Sequence, residues 1–412
     1  MIVNNCCVED VCSFIGGSQP AKSEFINEPK PGYVRLIQTR DYKTDSFPTY
    51  IQQESTKKFC DENDIMIGRY GPPVFQICRG LKGAYNVALI KAKPKDGIDR
   101  AFLYYFLKQD SVFKYVDKLS ARTGGQTGID LLSLKKYPVR VPNEIEDQQK
   151  LVASLVAIDK KIELNRRTNS ELEGMVKAIF DFWFVQFDFP DADEKPYKAS
   201  GGKMVFNHTL RRDLPEGWLD GTLDDLGQIV GGSTPSTTDK NNFSSKGEAW
   251  ITPNDLSKNQ DYKFIYQGAI GVTEQGIKSA SLKQHPVGTV LLSSRAPIGY
   301  MAIARNTVTT NQGFKSFVPN KGYPTEFIYF TVKNNLKTII QYSSGSTFKE
   351  VSGTVLKTVK IALPPKKIVD GYKKQVENLF SKQSVLEQEN EQLINLRDWL
   401  LPMLMNGQVT VK

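Results

Sequence analysis

Catalytic metal chemistry has little to stand on in this 412-residue sequence. It holds two histidines, His208 and His285, and no HxxxH or HExxH spacing. Cysteine is nearly as scarce. Cys6, Cys7, Cys12, Cys60 and Cys78 all fall in the first fifth of the chain, odd in number and without a CxxC. Neither a disulfide scaffold nor a zinc site follows, and they read as small buried hydrophobes of a reducing compartment. No apolar run approaches the ~18 residues that span a bilayer. Met1–Asp10 has no basic stretch followed by an apolar one, so a cytoplasmic location is expected. Cofactor loops are missing too. Gly16-Gly17 and Gly231-Gly232 are doublets without GxGxxG spacing and read as turns, and there is no P-loop. Gly71-Pro72-Pro73-Val74 lacks the polar first and aromatic last residue of an adenine-gripping methyltransferase loop. The acids Asp191, Asp193 and Glu194 stand too close together to come from two strands of a nuclease metal site. The sequence therefore offers no catalytic residue and no cofactor of its own.

What is present is an ordinary globular composition, 40% apolar and 24% charged, with a length that fits two or three domains. The net charge of +9 is unevenly spread. Residues 1–143 carry +6, residues 144–186 carry −2, residues 187–366 carry +5, and the remainder is neutral. Two basic blocks separated by an acidic one suit a polyanion that touches both, although many basic surfaces bind nothing in particular.

The chain is one unit written twice. Asp10–Pro20 (DVCSFIGGSQP) matches Asp225–Pro235 (DLGQIVGGSTP). Leu36-Ile37 with Asp41 matches Trp250-Ile251 with Asp255. Asp64–Arg69 (DIMIGR) parallels Thr289–Arg295 (TVLLSSR), each followed by a proline-containing turn. Phe102–Phe106 parallels Phe327–Phe330, and Tyr137–Pro142 parallels Val359–Pro364. Five matches in one order indicate duplication.

The longest match is helical. Steps of four and three link Leu151, Leu155, Ile158, Ile162, Asn165, Asn169, Leu172, Val176, Ile179 and Trp183. An offset of 221 carries the first nine to Tyr372, Val376, Leu379, Gln383, Leu386, Asn390, Leu393, Arg397 and Leu400. Both series have the 3.5-residue period of a coiled-coil seam. Asn143, with Glu146 three residues on, is the expected N-cap of the first helix; the second is expected to bend or stop at Pro402 and end by Asn406-Gly407. Asn165 and Asn169 interrupt the apolar stripe, and a two-fold near residue 167 would set Asn165 against Asn390.

The expected fold class is α/β in the α+β sense: two similar recognition globules with curved, mostly antiparallel sheets, joined by two long antiparallel coiled-coil helices. The expected domains are residues 1–143, a central helix at 144–187, residues 188–366 with a connecting linker at 188–217, and a C-terminal helix at 367–412. Single helices are expected around Arg100–Leu119 and Thr325–Gln341. A helix over 144–185 spans about 60 Å at ~1.5 Å per residue. Two readers so spaced would match two half-sites on one duplex, the helix length setting the gap.

The repeated Gly-Gly-Ser-x-Pro, Ile67–Pro73 (IGRYGPP), Pro215–Trp218 (PEGW), Ile162–Arg167 (IELNRR), Phe182–Phe184 (FWF) and Leu400–Gly407 (LLPMLMNG) together resemble type I restriction–modification specificity subunits over essentially the whole chain. One departure is that the first globule lacks the Pro-x-Gly-Trp segment that precedes the second. The resemblance implies a non-catalytic DNA-binding subunit in which each globule reads half of a split, asymmetric site in double-stranded DNA. It further implies that the helices set the gap and dock two methyltransferase subunits, which carry S-adenosylmethionine and methylate adenine, and that motor-nuclease (restriction) subunits can join.

Reading DNA needs donors and acceptors on loops. Candidates recur at similar places in the repeats: Arg69, Tyr70 and Arg295 after a strand; Tyr85, Asn86, Asn311, Gln312 and Lys315 on a second loop; Arg122, Thr123, Gln126, Thr127, Ser346, Thr347 and Lys349 on a third, glycine-rich one. Candidates for the helix seam and partner docking are Leu155, Ile158, Ile162, Asn165, Asn169, Leu172, Val376, Leu379, Leu386, Asn390 and Leu393. The alternatives are a coiled-coil scaffold, which two repeated basic globules disfavour, and a fused methyltransferase or nuclease, which the missing motifs disfavour.

Overall fold

The computed structural model describes residues 2–70, 74–119, 122–123, 126–295, 297–343 and 350–409; at residues 122, 123, 126 and 127 it describes the backbone alone. Two compact units emerge, one of residues 1–162 with 392–412, the other of residues 163–391. The central helix, Ile145–Phe180, and the C-terminal helix, Lys366–Met405, each contribute to both. The segments drawn from sequence kept each helix whole; packing divides them, because each globule closes its core on a stretch of both helices.

In the first unit, Cys12–Gly16, Leu89–Pro94, Ile65–Gly68 and Ile77–Cys78 form an antiparallel sheet in that order. A second sheet runs Tyr50–Gln52, Tyr33–Ile37, Gly83–Tyr85, Phe59–Cys60, and its middle pair is parallel. Val3–Cys7 pairs with Pro138–Pro142. That ladder continues one bond further, from Asn143 N–H to Ile2 O, and Asn143 stands two residues before Ile145, where the helix begins. The first helical carbonyl is instead that of Glu144, which accepts from Gln148 N. Gln148 is fully buried and saturated: its amide donates to Gly97 O and Pro142 O at 2.9 Å and accepts from Asp99 N at 2.7 Å.

The core of this unit joins Phe102, Leu103 and Leu107 to Leu151 and Leu155 of the central helix and to Leu401 and Leu404 of the C-terminal one. Each such side chain contributes roughly 1.5–3 kcal/mol by leaving water. Further along, Asp159 accepts from Tyr105 Oη at 2.6 Å, Arg397 at 3.0 Å and Arg79 at 3.2 Å. Rising from Leu151 to Asp159 on one helix corresponds to falling from Leu404 to Arg397 on the other, so the pair is antiparallel here. Pro402 sits within the last turns, and the helix closes with Gly407 N donating to Leu404 O and Gln408 N to Met403 O. Gly407 takes φ 70°, the left-handed conformation that this closure needs.

The second unit repeats the plan. Gln228–Gly231, Lys315–Val318, Val290–Leu292, Met301–Ala304 and Phe264–Ile265 form a five-stranded sheet, the last pair parallel. Phe243–Ser244, Ile270–Val272, Glu248–Ile251 and Thr309–Thr310 form the other, its last pair again parallel. Leu219–Thr222 pairs with Lys360–Leu363. The single helices expected in each globule are broken pairs: Arg100–Leu107 with Asp110–Leu119, and Thr325–Asn334 with Leu336–Gln341. At each break an amide side chain folds back onto a helix carbonyl, Gln109 onto Phe106 O and Asn335 onto Thr331 O, and ends the first helix.

Residues 188–217 are more ordered than a linker. Met204–Asn207 and Arg212–Pro215 form a hairpin. Phe187 and Phe189 pack on Trp218 at 5.2 and 5.7 Å between ring centroids, next to Phe184. Four aromatic residues provide enough apolar area to order the backbone that carries them.

In this unit the helices meet at Phe180 and Tyr372, at Asn169 O with Gln383 Nε2, and at Asn165 with Asn390, again antiparallel. Asn165 Nδ2 donates to Asn390 Oδ1 at 3.0 Å, the pairing expected from the repeat, and to Glu389 at 2.7 Å. Lys263 anchors the globule to the pair. Its ammonium reaches Glu173 at 2.5 Å and Gln383 at 2.7 Å and lies 3.9 Å from the centre of the Phe380 ring. Burial pushes this ammonium down in pKa while Glu173 pushes it up. Burial works to raise the Glu173 carboxyl, yet Lys263 and Lys333 together hold it below the usual range. Glu387 accepts from the backbone of Lys263 and Phe264, and burial raises it to about 7 against those bonds and Arg305.

Candidate DNA-recognition surfaces

Register, not sequence similarity, identifies equivalent positions. Gly16 pairs with Ile90 and Gly231 with Lys315. Tyr85 lies beside Ile37 and Thr310 beside Ile251, and the next amides, Asn86 N and Asn311 N, donate to Ile37 O and Ile251 O. Asn86 is therefore equivalent to Asn311. In each, the side-chain carbonyl accepts from the amide two residues on, Ala88 at 3.1 Å and Gly313 at 2.9 Å. These asparagines close a turn. The second glycine of each doublet crosses them so tightly that a Cβ on Gly17 or Gly232 would collide with the carbonyl oxygen of Asn86 or Asn311.

This placement corrects two expectations. Tyr85 is 1% exposed, its hydroxyl donates to Ile15 O at 3.3 Å, and burial raises that hydroxyl to about 12. Asn86 is buried as well. Neither presents a group to a duplex, because the parallel bridge at Ile37 draws this stretch into the sheet. The alignment of Arg69 with Arg295 also shifts by one: Tyr70 bridges Gly128, Arg295 bridges Glu350, and each bridge is followed by a helix N-cap, Asp130 or Ser352. Tyr70, not Arg69, is the equivalent of Arg295.

The other candidates gather at one end of each sheet. In the first globule, Arg69 and Tyr70 are half-buried, the guanidinium 5.0 Å from the centre of the ring. The backbone of Arg122–Thr123 pairs antiparallel with that of Gln126–Thr127, just before Gly128. In the second, Gln312 is exposed and hydrogen-bonds Thr234, just past the glycine doublet. Ser294 N donates to Gly313 O and Val351 N to Ser294 O, which brings the loops of Arg295, Asn311–Lys315 and Glu350 together. Glu350 lies 3.7 Å from Lys315 and 4.0 Å from Arg295. Ser346, Thr347 and Lys349 lie outside the described residues, as do Gly71, Pro72, Pro73, Gly124, Gly125 and the side chains of Arg122, Thr123, Gln126 and Thr127. Sequence reasoning missed Glu350, since it looked for cations and amides; the 222-residue offset between Ile129-Asp130 and Val351-Ser352 was the available signal.

Of the seam candidates, Leu155, Ile158, Ile162, Asn165, Val376, Leu386 and Asn390 are buried, and Asn169, Leu172, Leu379 and Leu393 are half-buried. Among the described residues no helix is long and apolar enough to cross a membrane, and no cluster of histidine, cysteine or acid side chains could hold a metal ion.

Comparison with known proteins agrees with the duplication. A family profile described as the type I restriction modification DNA specificity domain matches residues 3–174 and again 215–395. The MjaIX type I restriction enzyme specificity subunit of Methanocaldococcus jannaschii is 44% identical over 163 residues, a match spanning 39% of this chain and 37% of that relative. The HindI specificity subunit of Haemophilus influenzae is 26% identical over 358 residues, covering 75% of this chain and 77% of its own. The crystal structure of the type I system S subunit from M. genitalium superimposes with a TM-score of 0.58 at 15% identity, covering 98% of this chain and 96% of that one, a likeness of fold.

Proposed function

Because the chain belongs to the family of type I restriction–modification DNA specificity subunits, we propose that it reads a bipartite, asymmetric site in double-stranded DNA, one globule to each half-site. The observation that carries this reading is that two globules on one strand plan gather different polar side chains at equivalent sheet ends. Arg69 and Tyr70 stand where the other globule has Ser294 and Arg295, and Val87 and Ile90 stand where it has Gln312 and Lys315. Similar scaffolds with dissimilar tips suit two unlike sequences. The two basic blocks of the chain supply the phosphate attraction.

The helices are the docking surface for two methyltransferase subunits, which bring S-adenosylmethionine and do the chemistry; restriction subunits join that assembly, and the work is cytoplasmic. Support lies in what the seam leaves outside. Leu164 and Met175 on the central helix are 58% and 53% exposed. Their equivalents at the 221-residue offset, Val385 and Leu396, are 57% and 43% exposed. An outward apolar stripe that recurs with the repeat presents the same surface twice.

Exchanging residues 219–362 for the corresponding globule of a relative tests the reading. Methylome sequencing of cells carrying the hybrid should show one half-site changed and the other kept. A change in both halves, or in neither, would refute it.

A further inference from the structure

Three positions coincide at the loop end of each globule, and their chemistry differs completely. In the second globule they are Arg295, Glu350 and Lys315; in the first, by the registers above, they are Tyr70, Gly128 and Ile90. The first set is uncharged: Ile90 is buried, and the Tyr70 ring covers Gly128 so closely that a Cβ there would stand 3.3 Å from the ring. The second set is fully charged. Glu350 is pinned by backbone, through its bridge to Arg295 and the bond from Val351 N to Ser294 O. Its two carboxylate oxygens face different cations, Oε1 toward Lys315 and Oε2 toward Arg295. The side chains of Arg295 and Glu350 are 38% and 43% exposed, so the group is within reach of a ligand.

We propose that Glu350 is the positioning residue of the second half-site, holding Arg295 and Lys315 as a fixed pair of donors for the major-groove edge of a guanine. This deepens, and rests on, the DNA-reading function above. Unrestrained, two long cationic side chains would each settle on the nearest phosphate, a contact that carries no sequence information. A carboxylate between them opposes this in two ways. It repels phosphate, and it fixes rotamers that would otherwise have to be ordered on binding. Guanine presents two acceptors, O6 and N7, in the geometry that a fixed guanidinium meets with two bonds. The first globule has no charge at these positions, so its half-site is read there by different contacts, and the two halves of the site differ.

The test uses the full chain with its cognate methyltransferase subunit. Affinities are measured for a duplex taken from the wild-type methylome, for the same duplex with single substitutions in each half-site, and for a scrambled one. Glu350→Gln should keep the fold, checked by thermal melting, and lower discrimination about tenfold at one G·C pair of the second half-site. Glu350→Asp should retain most of it, and Arg295→Lys, which keeps charge but loses the fork, should lose it as Glu350→Gln does. A Glu350→Gln chain that discriminates like wild type overturns the inference while leaving the function standing. A wild-type chain that binds cognate and scrambled duplexes equally overturns both.

Discussion

The two seam asparagines should respond to the same substitution with opposite signs. Asn165 is 2% exposed and donates to Asn390 and to Glu389. Replacing it by leucine removes one neutral bond, worth about 1 kcal/mol, and one to a charged acceptor, worth roughly 1.5–3 kcal/mol. The apolar area that leucine buries returns about 1–2 kcal/mol. Asn165→Leu is expected to destabilise the second unit by about 1–2 kcal/mol. Asn169 is the repeat equivalent of Asn390, but the equivalent of Asn165 is Leu386. The two-fold therefore gives Asn169 an apolar counterpart where Asn390 has an amide, and Asn169 Oδ1 is buried without a hydrogen-bond partner. An unsatisfied buried acceptor costs roughly 1–3 kcal/mol. Asn169→Leu should stabilise by about 1 kcal/mol. Urea unfolding of the full chain, followed by far-ultraviolet circular dichroism, reads both. Equal losses in the two variants would refute the argument, since they would mean that register, and not hydrogen-bond satisfaction, sets the energetics of the seam.

Two further outcomes are expected. His285 is 1% exposed, bonded to Thr310 Oγ1 at 3.1 Å, and lowered by burial and then by Lys283 from 6.5 to about 4. A folded value below the unfolded one gives stability that is fully present above pH 6.5 and lost as pH falls toward 4, about 3 kcal/mol in all. His285→Gln should flatten that part of the pH–stability curve, and an unchanged curve would show that the imidazole is not its source. Inserting four residues between Asn165 and Asn169 lengthens the helix by about 6 Å at ~1.5 Å per residue. The unread gap in the methylated site should then widen by one or two base pairs with both half-sites kept; an unchanged gap in the methylome would end the idea of the helix as a ruler.

Patterns of periodicity carried the helices well. The 3.5-residue steps from Leu151 and Tyr372 describe a seam whose burial follows them, because a coiled-coil contact is local and repeats. Where a residue competes for two partners, the pattern was silent. Asn143 is a good cap by type, but the ladder to a strand more than 130 residues earlier extends to it, and the helix takes its first carbonyl from Glu144. Gln109 and Asn335 end helices through side chains that periodicity does not weigh. The recognition surface was legible in outline only. Tyr85 and Asn86 look like loop residues until the parallel bridge at Ile37 draws them inside, and the role of Glu350 depends on a bridge to Arg295 from 55 residues away. Such pairings lie in the sheet register, which alternation alone leaves open by a residue.

The division of the helices also sets an order of events during synthesis. The second unit, residues 163–391, is contiguous and can close its core as soon as it has left the ribosome. The first unit is made earlier but is completed by Leu401 and Leu404. Until those leucines emerge, Leu103, Leu107, Leu151 and Leu155 lack part of their covering, and Asp159 lacks Arg397. The globule that is translated first is thus the one whose core is completed last, after some 230 further residues have been made.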